Sequence, residues 1–343
     1  MAHILVVRFS ALGDVAMTIP VVHSFAMQYP QHEITVLSRA AWQPLFEGLP
    51  SNVHFVGADL AGRHKGLGGL NRLYSELKAV HFDCVADFHH ILRARYLGLR
   101  FRLAGIPVAS ICKGREGKRK LVRRKNKVME NQKSSFRRYA DVLEKLGFPV
   151  ILNFSSVYGD GKGDPREIAA VAGQKGGQKW VGVAPFAKHA GKIYPLELQE
   201  QVVAHLAANP NVKVFLFGGG KKEQEVFDAW CAKYPSLVSL RGQLNMRGEL
   251  NLMSHLDVML SMDSANMHLA SLVNVPVVSI WGATHPYAGF MGWHQLPLHA
   301  VQLDLPCRPC SVYGQKPCWR GDYACMNGIT PEKVIAKIEE IIS

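Results

Sequence analysis

The sequence predicts an α/β protein built as two doubly wound parallel-sheet domains, and three observations carry that expectation. Short apolar runs alternate with amphipathic helical patterns along the chain. The turns between them hold residues that cap helices. The length, 343 residues, exceeds what one hydrophobic core usually serves. The clearest unit is DVMLSMDSANMHLASLVNVPVVSIWGATH, residues 257–285. Val258 to Met262 reads as a buried strand, Asp263-Ser264 stands where a helix takes its N-cap, and Ala265 to Val273 supplies an apolar helical face. Asn274 and Pro276 stop that helix, and Val277 to Trp281 forms the next strand. A β-α-β unit belongs to a parallel sheet, and a helix opening at a strand's carboxyl end presents unpaired N–H groups to an anion. A diphosphate is the expected ligand there. The plainer alternative is that Asp263 and Ser264 only cap the helix and that His268 is a core histidine.

Taken in order, Ile4 to Phe9 is a first buried strand, followed by Ser10-Ala11-Leu12-Gly13-Asp14 and a helical pattern from Val15 to Tyr29. Gly13 is expected to let the backbone turn tightly, and Asp14 is left at the strand's carboxyl end, where open parallel sheets bind ligands. The dinucleotide fingerprint G-x-G-x-x-G is absent, which disfavours a nicotinamide oxidoreductase. Ile34 to Leu37 and Val53 to Val56 read as strands with a short helix, Trp42 to Leu49, between them. Gly66 to Gly69 reads as a flexible link into a helix, Leu70 to Val80. Cys84 to Asp87 is a further strand ending in Phe88-His89-His90, again at a carboxyl end.

Residues 113–138 carry twelve Lys or Arg against two Glu, and they hold most of the +13 formal charge. Such a segment reads either as a solvated loop running into an amphipathic helix, Ser134 to Leu146, or as a docking surface for anionic lipid. It lacks the interleaved aromatics of a single-stranded nucleic-acid binder, and no nucleic-acid motif is present, although a non-catalytic polyanion-binding protein stays open as an alternative.

Residues 158–179 read as a linker between a first domain, 1–160, and a second, 175–343. Trp180 to Val183 opens the second domain and leads into a loop with Lys188, His189 and Lys192, a second phosphate candidate. The helix Leu196 to Ala208 and strand Val212 to Phe217 precede Gly218-Gly219-Gly220-Lys221-Lys222-Glu223. Triple glycine lets a ligand approach the backbone, and Glu223 opens the next helix or holds a ribose diol. Cys307, Cys310, Cys318 and Cys325 are weak zinc candidates, since only the first pair has C-x-x-C spacing. A terminal helix, 331–342, is a candidate to pack back on the first domain. No apolar run approaches the ~20 residues of a membrane span, and no basic n-region marks a signal peptide. The expected location is the cytoplasm, at the face of the inner membrane.

Together these motifs resemble glycosyltransferase family 9, the heptosyltransferases of lipopolysaccharide core assembly. The resemblance rests on ILVVRFSALGDVAMTIPVV and DSANMHLASLVNVPVVSIWGATHP, supported by DFHHILRARYLG, GKIYP, FGGGKKE and the cysteine tail before ITPEKV. It implies a GT-B fold, two Rossmann-like domains facing across a cleft. The C-terminal domain would hold ADP-heptose and the N-terminal one a lipopolysaccharide inner-core acceptor, with inversion at the anomeric carbon. Asp14 would be the general base, partly desolvated as the cleft closes. Lys192 would pair with the donor phosphates, Glu223 with ribose and Asp263 with the donor sugar. The amides of Ser264, Ala265, Asn266, Met267 and His268 would cradle the diphosphate. Acceptor-side candidates are Ser10, Gly13, His89 and Arg93. No Asp-x-Asp is present, so no metal cofactor is expected for the transfer. Ala265 stands where the family usually has Gly, which requires a helical backbone there. His89 and Tyr194 replace a common Gln and Trp, leaving room for a different donor sugar.

Overall fold

The computed structural model describes all residues, Met1–Ser343, and the chain forms two compact units. The first comprises Met1–Lys113 and Lys133–Val157, the second Gly114–Gln132 and Tyr158–Ser343.

In the first unit, β1 (His3–Val7), β2 (Glu33–Arg39), β3 (Val53–Ala58), β4 (Cys84–Asp87) and β5 (Val108–Ser110) form one sheet in the order β3-β2-β1-β4-β5. All pairings are parallel. Helices cover both faces of such a sheet, so its central strand is apolar after His3, and Ile4, Leu5 and Val6 are fully buried. The chain lays β2 and β3 to one side of β1, then returns to place β4 and β5 on the other. The loops leaving β1 and β4 therefore diverge, and a crevice opens at their carboxyl ends.

Three local expectations change. The single helix from Val15 to Tyr29 is two, Leu12–Ala16 and Ile19–Gln28. Pro20 has no N–H to continue the ladder, and the Thr18 hydroxyl donates to Val15 O at 2.7 Å across the break. Gly13 lies inside the first of these helices and is not among the positive-φ glycines, so it makes no tight turn. The glycines at 66–69 form the first turn of the helix Gly66–Lys78 instead of a link. Gly69 is required there, because a Cβ would stand 2.3 Å from the carbonyl carbon of His64.

In the second unit, β6 (Lys179–Ala184), β7 (Val212–Leu216), β8 (Leu237–Ser239), β9 (Val258–Met262), β10 (Val277–Ile280) and β11 (Ala300–Val301) run in the order β11-β10-β9-β6-β7-β8. This sheet too is parallel, and the side on which the chain adds successive strands reverses between β6 and β9. The terminal helix Pro331–Ile342 belongs to the second unit. Its Val334 and Ile338 are buried in the second core with Val202 and Leu206, because the apolar face matches the open side of the helix Leu196–Ala208.

The basic segment departs from the expected boundary. Residues 114–132 belong to the second unit, and Arg115–Leu121 is a helix. Leu121 is fully buried, and Lys118 Nζ sits 3.9 Å from the centre of the Phe290 ring. The Gln132 amide donates to Tyr287 O at 2.8 Å. Lys127 Nζ donates to the carbonyls of Pro309 at 2.7 Å and Cys307 at 3.3 Å. A buried leucine and ammonium groups seated on carbonyls and a π-face hold this stretch down, so it is no free strap.

Candidate functional site

The reversal between β6 and β9 puts the loops after these strands side by side. Lys192 ends a short 3-10 turn in the loop after β6, and Asp263 follows β9. Lys192 Nζ meets Asp263 Oδ2 at 2.8 Å, and the same oxygen accepts the Thr284 hydroxyl at 2.7 Å. Asp263 is thus occupied by a cation and a hydroxyl, and does not cap the helix.

Ser264 is the N-cap of the helix Ala265–Leu272, yet its side chain accepts no bond from the first turn. Its hydroxyl pairs with Ser261 Oγ at 3.2 Å instead. The capping alternative therefore fails for both residues: the first-turn amides have no side-chain cap, and the dipole's positive end faces Lys192's neighbourhood. Ala265 opens the helix with negative φ, as the sequence requires. Met267 and His268 are buried, so neither side chain is offered to a ligand.

Of the two roles the sequence left open for Glu223, the structure shows the one at the helix start. It lies in the first turn of the helix Lys221–Lys233, and its Oε2 accepts from the amides of Gly219 at 2.7 Å and Gly220 at 3.0 Å. The carboxylate organises its own glycine loop, and Oε1 is left for other partners.

Arg308 carried no sequence signal, and it underpins this region. It is buried, and its guanidinium donates to the carbonyls of Gly282, Leu303 and Thr284, the last at 3.0 Å, and to Gln302 Oε1 at 3.0 Å. Burial lowers its pKa, and the carbonyl dipoles hold the backbone beneath Thr284. Thr284 was equally silent.

The first unit has its own cluster at the tips of β1 and β4. Asp14 lies in the first turn of Leu12–Ala16, about one third exposed at 32%, and its Oδ2 accepts from Arg8 at 2.7 Å and from the Ala11 amide at 3.2 Å. Arg8 is buried, and its other donor reaches Phe88 O at 2.8 Å. Arg8 was not among the expected site residues. Its signal was a charge inside an apolar run, which a fold tolerates only with a partner.

His89 is close by but buried. The Phe9 amide reaches its Nδ1 at 3.3 Å; an amide can only donate, so the ring proton sits on Nε2. Burial, then the charges of Arg8 and Lys113, pull the pKa of His89 down to about 3, and the imidazole is neutral. Asp87 holds this turn by accepting from the amides of His89 at 2.9 Å and His90 at 2.8 Å. Ser10 is partly exposed beside the cluster, whereas Arg93 stands exposed on the helix Leu92–Leu103 with no bond to Asp14, Arg8 or His89. Of the candidates, Asp14 is thus paired with Arg8, His89 lies near enough to feel both charges without a bond to either, and Arg93 stands apart.

The cysteines do not assemble into a ligand set. All are free thiols, and no group of three or more His, Cys, Asp or Glu side chains is placed to hold a metal ion.

Two parallel sheets, one carrying a lysine and an uncapped helix start where its strand order reverses, define a protein of the GT-B class. The model of glycosyltransferase family 9 (heptosyltransferase) matches residues 70–317, and the chain belongs to that family. The chain is 26% identical over 172 residues to lipooligosaccharide heptosyltransferase 2 of Campylobacter jejuni, a match over 49% of this chain and 52% of that protein. The chain thus spans about half the length of that relative. It is 24% identical to the lipopolysaccharide core heptosyltransferase OpsX of Haemophilus influenzae, over 82% of this chain and 79% of that one. The fold is that of the E. coli heptosyltransferase WaaC solved with ADP, with a TM-score of 0.69 at 14% identity over 98% of this chain and 99% of the other.

Proposed function

We propose that this protein transfers a heptose from ADP-heptose to a hydroxyl of a lipopolysaccharide inner-core saccharide, with inversion at the anomeric carbon. The observation that carries the donor half is the Lys192–Asp263 pair beside the uncapped start of Ala265–Leu272. A nucleotide diphosphate supplies the anion this arrangement lacks: its phosphates take the first-turn amides and draw on Lys192, while Asp263 is freed toward the sugar. Glu223 Oε1 is offered to ribose.

In the transfer, the acceptor hydroxyl attacks the anomeric carbon from the face opposite the diphosphate. The new C–O bond forms as the bond to the diphosphate oxygen breaks. Asp14, held by Arg8 and the Ala11 amide, takes the hydroxyl proton. The amides and Lys192 offset charge on the departing ADP, the role a metal ion plays elsewhere, so the reaction is expected to survive chelation. The test is incubation with a panel of nucleotide sugars and an inner-core acceptor, with proton NMR of the product. A β-to-α or α-to-β change with ADP-heptose supports the reading; retention, or transfer from another donor in preference, contradicts it.

Action at the inner face of the membrane is part of the proposal. The segment 113–138 keeps exposed cations such as Arg115, Arg119 and Lys125, but much of it is folded onto the second unit. A better placed element is the helix Leu92–Leu103. Its Leu92, Leu99 and Leu103 are 82%, 52% and 77% exposed, and their spacing puts them on one stripe. Arg95 and Arg102 flank that stripe on one side and Arg93 and Arg100 on the other, with no carboxylate on the helix. Leucines rimmed by arginines suit the boundary between headgroups and acyl chains of an anionic leaflet. No helix of the chain is long and apolar enough to cross a membrane.

A further inference from the structure

The folded-down basic segment builds a pocket in the second unit. Arg123, Arg124 and Lys127 come from that segment and Lys316, Trp319 and Arg320 from the loop after β11, and together they line a cavity of about 340 Å³. That volume accommodates a phosphorylated monosaccharide and is small for a folded peptide. Five cations converge, and Asp322, paired with Arg320 at 2.7 Å, is the one carboxylate bonded to any of them. Arg123 and Lys316 are exposed and without an ion pair, and Arg124 lies over the Trp319 ring at 4.9 Å. Lys127 is spent on the carbonyls of Cys307 and Pro309 and shapes the wall. The thiol of Cys310, also in the wall, has its pKa raised by burial, so it does not neutralise the excess charge.

Gathering like charges costs stability, and a bound anion relieves that cost. The indole of Trp319 is half exposed, and its open face suits the apolar face of a sugar ring. We propose that this pocket is a second anion site, sharing no residue with the Lys192–Asp263 loop, and that it takes a phosphomonoester carried on a saccharide. Two cations, Arg123 and Lys316, grip the phosphate, and Trp319 carries the ring.

The test uses the full chain, titrated calorimetrically with glucose 6-phosphate, glucose and inorganic phosphate, each with and without saturating ADP. Glucose 6-phosphate is expected to bind equally well in both conditions, and glucose alone not to bind. The double variant Arg123→Ala/Lys316→Ala should weaken glucose 6-phosphate by about tenfold or more while leaving ADP affinity unchanged, which also reports that the fold is intact. Trp319→Ala should weaken glucose 6-phosphate but not inorganic phosphate. Failure of glucose 6-phosphate to bind, competition between it and ADP, or indifference to the double variant would overturn the site. Equal affinity for inorganic phosphate, untouched by Trp319→Ala, would overturn the saccharide assignment. None of these outcomes depends on whether the protein transfers heptose.

Discussion

Lys192 and Asp263 meet at 2.8 Å because β6 and β9, far apart in sequence, are neighbours in the sheet, and Asp263 is only 5% exposed in its side chain. Each is therefore the other's partner until a more strongly charged group arrives. Replacing Lys192 with Met leaves the carboxylate with the Thr284 hydroxyl alone, and an under-satisfied buried group costs about 1–3 kcal/mol. Urea unfolding of Lys192→Met should show that loss, and adding Asp263→Asn should recover much of it. ADP affinity should fall by about tenfold or more in Lys192→Met, since a charge-assisted contact is removed. Unchanged ADP binding would take Lys192 out of the site.

Asp14→Asn keeps an oxygen for Arg8 and the Ala11 amide but accepts no proton. Transfer should drop by roughly 10²-fold or more while donor affinity stays near normal. Single-turnover rates beside ADP titrations separate these two quantities. Near-normal turnover would leave Asp14 with a merely structural role.

Glu223 has two separable tasks. Glu223→Gln retains the carbonyl that caps Gly219 and Gly220, as glutamine does in capping boxes, so stability should change little. Glu223→Ala should cost about 1 kcal/mol through the lost cap. A drop in ADP affinity in the Gln variant, at unchanged melting temperature, identifies a ribose contact; equal affinity limits the residue to the loop.

His89 sets a pH dependence. Its folded pKa of about 3 lies below the ordinary 6.5, so between these values the unfolded chain binds a proton that the folded one does not. Stability is fully present above about pH 6.5 and falls as pH falls through the window toward 3, by up to ~1.4 kcal/mol per pH unit from this group. His89→Gln should flatten the stability profile in that range. An identical profile in the variant would place the histidine's titration elsewhere.

Much of the fold was legible because several signals agreed at the same place. The strands Cys84–Asp87 and Val258–Met262 and the helices Leu196–Ala208 and Pro331–Ile342 have the bounds that periodicity and terminal residues indicate. The switch-point positions of Asp14 and Asp263 follow from the same pattern. What escaped depends on long-range neighbours. Dense charge at 114–132 hides the few contacts, Leu121 among them, that bind it to the second unit. The two-residue strand Ala300–Val301 has no periodicity to read. Arg308 and Thr284 gain their meaning only from carbonyls and a carboxylate brought in by the sheet. Likewise, nothing local distinguishes Glu223 the cap from Glu223 the ribose ligand.

The central claim is that a nucleotide diphosphate sits on the bare amides opening Ala265–Leu272 with Lys192 beside it. Backbone amide chemical shifts, recorded as ADP is added to the isotope-labelled protein, test it most directly. The largest saturable changes are expected at Ala265, Asn266 and Met267 and in the loop of Lys192, with smaller ones at Gly218–Gly220. Saturable changes confined to other loops, leaving the Ala265–Met267 amides unmoved, would contradict the account.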